Sequence, residues 1–128
     1  MLIAACVFAA LAALVHVYIF VIESLRFETP STLRTFGIRP TEAAVLKPVF
    51  YNQGFYNLFL ALGTLAGIGS VVADRNDVGV ALIVFGVGSM LAAATVLVTS
   101  DGSKARAALV QGLFPALTLL CLLLWAVV

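Results

Sequence analysis

Charge is what this sequence has least of. Only 10% of its 128 residues are charged, against roughly 25% in an ordinary soluble domain. The 7 basic and 6 acidic groups crowd into short segments, and residues 1–22, 48–73, 78–100 and 107–128 contain none of them. That distribution excludes a soluble globule, a disordered chain, a coiled coil and a nucleic-acid-binding surface. Histidine is almost as scarce, with one copy, which argues against a zinc site that takes three or four side-chain ligands. The two cysteines form no Cys-x-x-Cys pair, so dithiol redox chemistry has little support. No glycine-rich stretch carries the lysine that a phosphate-binding loop requires. Alternation of polar and apolar residues is missing from the uncharged runs as well, which argues against a β-barrel.

What is present is a set of four long apolar segments. The uncharged runs are 22, 26, 23 and 22 residues long, and about 20 residues suffice for a helix to cross the hydrocarbon core. Backbone groups in lipid must bond within their own segment, which selects helices. The expected architecture is all-α, a four-transmembrane-helix bundle in one domain, with spans at about 1–24, 49–73, 78–99 and 106–128. The first run lacks a basic leader and is longer than a signal-peptide core, so it is expected to be a retained span. Arg26, Arg34, Arg39 and Lys47 lie in the first loop, Arg75 in the second, and Lys104 and Arg106 in the third. Loops one and three share a side in a four-span protein, and the lysine and arginine bias places that side in the cytoplasm and both termini outside.

The first loop is long and internally punctuated. Thr29-Pro30 suits the start of a short helix and Gly37 its end. Pro40-Thr41-Glu42 suits the start of a second, running to Leu46 until Pro48 interrupts it. Phe27, Leu33, Phe36 and Ile38 alternate with arginines, as in a segment lying on the inner membrane surface. The other two loops read as tight polar turns, at 74–77 and 100–106.

Polar side chains inside the apolar runs are costly in lipid and carry most of the functional information. His16 and Glu23 are seven residues apart on the first span, which puts them within roughly 20° of one helix face and about 10.5 Å apart along the axis. The second span opens with Tyr51-Asn52-Gln53-Gly54-Phe55-Tyr56-Asn57. Taking Asn52 as zero, Tyr56 falls near 40°, Gln53 near 100° and Asn57 near 140°, one arc of the helix. On the fourth span Gln111 precedes Pro115 by four residues, so its carbonyl loses its helical donor. His16 and Asn57 sit roughly 12 Å from the inner boundary, with Gln53 and Gln111 at roughly 6–8 Å. The outer half carries little beyond Cys6, Thr64, Ser70, Ser89, Thr118 and Cys121. This asymmetry suggests a polar chamber closed to the outside. Cys6 and Cys121 read as small buried hydrophobes, with a disulfide between them as the alternative. Gly63, Gly67, Gly86 and Gly88 read as points of close helix approach.

Several of these motifs occur together in a known group. His16 and Tyr18 with Glu23, Thr29-Pro30, Phe36-Gly37, the Asn52-Gln53-Gly54-Phe55-Tyr56-Asn57 block, and Gln111-Gly112 before Pro115-Ala116 resemble small bacterial four-span membrane proteins of a domain family of unknown function. The resemblance covers nearly the whole chain. It implies the four-helix fold and a multi-pass protein of the bacterial inner membrane, and it implies no activity.

The residues themselves support several functions. The leading expectation is an intramembrane pocket, open to the cytoplasmic leaflet, that binds a small lipophilic ligand. As an enzyme it would use His16 as acid/base and Glu23 as its partner, while Asn52, Gln53, Tyr56, Asn57 and Gln111 hold the substrate. Isomerisation or hydration by such groups needs no cofactor, and haem ligation through His16 is the minor alternative. The plainer readings are a packed His16, an interfacial Glu23 paired with Arg26, and amides acting as interhelical glue at about 0.6 kcal/mol per bond. A transporter or proton-coupled subunit and a structural accessory protein are the other classes. The expected partners are the lipid bilayer, the ligand and further copies of the chain in a homo-oligomer.

Overall fold

Why the apolar runs become helices is visible in a computed structural model, which describes residues 1–128. Helix α1 (Leu2–Phe20) continues into a wider π turn (Val21–Leu25), and a short helix α2 (Pro30–Phe36) follows. A 3-10 turn (Pro40–Glu42) leads directly into α3 (Ala43–Val72). Then come α4 (Asn76–Ser100), a second 3-10 turn (Gly102–Lys104) and α5 (Ala105–Val127). Four of these helical segments are long and apolar enough to cross a membrane: Leu2–Leu25, Pro40–Val72, Asn76–Ser100 and Gly102–Val127.

The four long helices form a closed square. α1 packs on α3 and α5, α4 packs on the same two, and the diagonals barely touch. The chain reverses direction at the long first loop and at each of the two short turns that follow, so every neighbouring pair is antiparallel. The first and third loops therefore meet at one end, where the Lys104 ammonium donates to the Phe36 carbonyl at 3.0 Å. This end is called the basic end below.

Small residues set the helix spacing. Ala5, Ala9, Ala12 and Ala13 line the buried side of α1, and the first three meet Ile83, Val87, Met90 and Leu122 in the main core. Cys6 and Cys121, both free, pack against the same core. Gly67 and Gly79 bring α3 and α4 backbone to backbone. A Cβ on Gly67 would lie 2.9 Å from the Gly79 carbonyl oxygen, a contact no methyl group can make. Close approach does not extend to Gly63 or Gly88, which have open space where a side chain would stand. The largest apolar side chains point the other way, with Ile3 82% and Phe85 73% exposed. An apolar exterior around a core of small residues is what a bilayer would cover.

The first loop is ordered by its own satellite core. Phe27, Leu33 and Ala43 are buried there, with Ile38, Leu46 and Phe50 packed around them. Phe27 stacks on Phe50 at 4.6 Å between ring centroids. α2 starts at Pro30 and stops at Gly37, whose φ of 68° is the left-handed conformation that glycine adopts without strain. The expected break at Pro48 does not occur, because α3 runs through it. Proline removes only the bond to the Ala44 carbonyl. Both residues lie on the exposed side of the helix near the basic end, where solvent can replace that donor. The region expected to be a separate interfacial helix is therefore the first turns of α3.

Candidate functional site at the basic end of the bundle

The site begins with a change of helix type. Near its end α1 widens, and the Arg26 amide bonds the Val21 carbonyl five residues back at 2.9 Å. Such π turns are rare, and they recur at functional sites. Here the turn lays two adjacent polar residues, Glu23 and Ser24, against α3. The Ser24 hydroxyl donates to the Tyr51 carbonyl at 2.8 Å. Gly54 makes this approach possible. A Cβ there would collide with the Ser24 hydroxyl and come within 3.1 Å of both the Ser24 amide nitrogen and the Glu23 Cβ.

Glu23 is 93% covered and is held by a residue of the facing helix. The Asn57 amide donates to Glu23 Oε2 at 2.9 Å and also to the Gln53 carbonyl at 3.2 Å. Glu23 makes no ion pair; Arg26 lies outside, exposed and without an acidic partner.

His16 ends the alanine stripe of α1 and is 1% exposed. Its Nδ1 stands 2.9 Å from the Ala12 carbonyl oxygen. A carbonyl can only accept, so in the neutral ring Nδ1 carries the proton and Nε2 the lone pair. No hydrogen bond joins His16 to Glu23. The uniform 100° per residue that aligns the two on an ideal helix does not hold through the wider π turn, although both side chains are buried.

The amide-rich arc of α3 divides. Asn57 lies toward the middle of the buried face that also carries Gly54, Ala61 and Thr64. Asn52, Gln53 and Tyr56 lie on the exposed surface, Tyr56 at 59%. Gln111 is half-buried on α5, next to Gly112, which packs against Ala94 of α4. Glu23, Asn57 and their support by Ser24 and Gly54 thus form one unit. His16 and Gln111 share the same end on α1 and α5. Ser24 and Gly54 were not singled out from sequence as part of a site. The available signal was a glycine inside a polar block on one span and a serine beside the carboxylate on another.

Unused hydrogen-bonding capacity is the chemical property of this unit. Glu23 Oε1, Asn57 Oδ1, His16 Nε2 and the Gln111 amide make no bonds within the protein. No fully sealed side-chain nitrogen or oxygen in the fold lacks a partner, so each of these atoms keeps a trace of surface, even on His16, which is 1% exposed as a whole. Together they offer acceptors on three positions and an amide that both donates and accepts.

No curated protein and no solved structure matches the chain. A family profile described as protein of unknown function (DUF1304) matches residues 10–123, a stretch that includes His16, Glu23, Gly54, Asn57 and Gln111. With so much of its length matched, this four-helix chain belongs to the DUF1304 family.

Proposed function

We propose that the basic end of the bundle binds a small, mainly apolar molecule by its polar end, within a multi-pass protein of the bacterial inner membrane whose basic end faces the cytoplasm. The observation that carries this reading is the unused hydrogen-bonding capacity of Glu23, Asn57, His16 and Gln111 on three sides of the bundle. Packing alone calls for polar groups that satisfy one another. A set with donors and acceptors left unused suits a ligand carrying a hydroxyl or carbonyl on an apolar body.

The chemistry these groups support is proton transfer. In the neutral ring His16 Nε2 accepts a proton from the bound molecule and returns it at a second position, an isomerisation that balances without a cofactor. Glu23 and Asn57 orient the polar end.

Absorption and native mass of the gently purified protein test this reading. A retained lipid-like mass, lost in His16→Ala while the helical fold persists, supports it. An adduct-free protein that takes up no apolar compound sinks it, and a Soret band would assign His16 to haem instead.

A further inference from the structure

Below the Glu23 site an open cleft of about 480 Å³ lies between the π turn, the following loop and the start of α3. Its walls include Ser24, Leu25, Arg26, Phe27, Glu28 and Lys47. Leu25 ends the first apolar span, and Lys47 immediately precedes the second uncharged run. The cleft therefore stands at the level where lipid headgroups meet hydrocarbon. Its geometry is held from both sides. Phe27 is buried against Phe50, and the Thr29 hydroxyl and amide both donate to the Arg26 carbonyl.

The charges in the cleft are unequal. Lys47 and Glu28 form an ion pair at 2.5 Å, leaving the Arg26 guanidinium as the group with no protein partner. One net positive charge beside apolar Leu25 matches one phosphodiester on two acyl chains. Guanidinium binds phosphate in a bidentate fork, and the neighbouring Lys47 adds a second cation without giving up Glu28.

From this we infer that the cleft is a binding site for the phosphodiester headgroup of an anionic membrane phospholipid, with Arg26 as its main ligand. Glu23 is not among the walls of this cleft, its carboxyl group facing Asn57 in the bundle, and the two places share only Ser24.

The test is lipid retention. The full chain is reconstituted in bilayers of equal phosphatidylglycerol and phosphatidylcholine, extracted gently, and its bound lipid counted by native mass spectrometry. Phosphatidylglycerol should be enriched severalfold over phosphatidylcholine, which bears the same phosphate neutralised by its own ammonium. Arg26→Ala should abolish the enrichment, Lys47→Met should weaken it, and Glu28→Gln should raise it. Arg34→Ala, a basic residue outside the cleft, should leave it unchanged, as should Glu23→Gln, which separates this site from the one proposed above. Equal retention of both lipids would overturn the assignment. So would an Arg34→Ala loss equal to that of Arg26→Ala, which would mean diffuse attraction by the whole basic end. Displacement of the lipid by millimolar inorganic phosphate would assign the cleft to a soluble anion.

Discussion

The Asn57 amide donates to Glu23 Oε2 at 2.9 Å, joining a buried carboxyl group in the π turn that follows α1 to the packed face of α3. The two residues are 34 positions apart in the chain, so this bond couples helix packing directly to the site. Asn57→Ala should destabilise the bundle by about 1 kcal/mol, in the range measured for interhelical bonds in membrane proteins. A double-mutant cycle with Glu23→Ala, followed by unfolding in mixed micelles, should return a coupling of about 0.6–1.7 kcal/mol. A coupling near zero would mean that the bond does not tie the helices together.

Gly54 and Gly63 form a matched pair for testing close approach. Gly54→Ala puts a methyl group against the Ser24 hydroxyl and 3.1 Å from the Ser24 backbone nitrogen. Rotating Ser24 relieves only the first contact, so the π turn must move away at a cost of about 1–3 kcal/mol. Gly63→Ala meets nothing within 4 Å and should be neutral or stabilising by up to about 1 kcal/mol through helix propensity. Thermal unfolding of the two variants in one detergent reads the difference.

Lys104 ties the third loop to the end of α2 through the Phe36 carbonyl. Lys104→Met should speed amide exchange in residues 30–38 while leaving α1 and α4 unchanged. Global stability should fall by less than about 1 kcal/mol, because the bond sits at the surface end of the bundle. Hydrogen exchange resolved by peptide is the measurement.

Asp101 bonds the Ser103 amide and hydroxyl, and these bonds hold its carboxyl below the usual aspartate range. A depressed acid stabilises the fold when ionised. Its contribution is complete above the unfolded value of about 3.9 and is lost as pH falls through the lower folded value. Exchange of the 102–106 amides, corrected for intrinsic rates, should therefore rise on acidification below about pH 4, and Asp101→Asn should remove that dependence.

Legibility in the sequence varied with the physics involved. Hydrocarbon thickness imposes a minimum span length, so the four helices could be read from uncharged runs, and α2 from Thr29-Pro30 and Gly37, because both depend on local chain chemistry. The site was legible in part. Depth points to His16, Asn57, Gln53 and Gln111, with Glu23 at the inner end of the first span, since polar groups in lipid are rare whatever they face. Which sector of α3 would be covered depended on how α1 packs there. Asn57 therefore parted from Asn52, Gln53 and Tyr56 although all four fit one arc. The π turn was invisible for a related reason: a helical wheel assumes a constant turn, and the widening at Val21–Leu25 accompanies an approach permitted by a glycine on another helix. Pro48 does not stop the helix because the cost of an interior proline depends on its carbonyl partner, here the exposed Ala44, which the sequence does not reveal.

Ligand binding at the basic end is tested most directly by the occupancy of the co-purified apolar adduct in the wild type and in Asn57→Leu and Glu23→Gln, by native mass spectrometry under one detergent condition. If the unused polar atoms at the basic end hold the ligand, the wild type carries an adduct of defined mass and both variants lose most of it while keeping their helical content. Equal occupancy in all three proteins would rule out ligand binding through these groups and leave the Glu23–Asn57 bond as a packing contact alone.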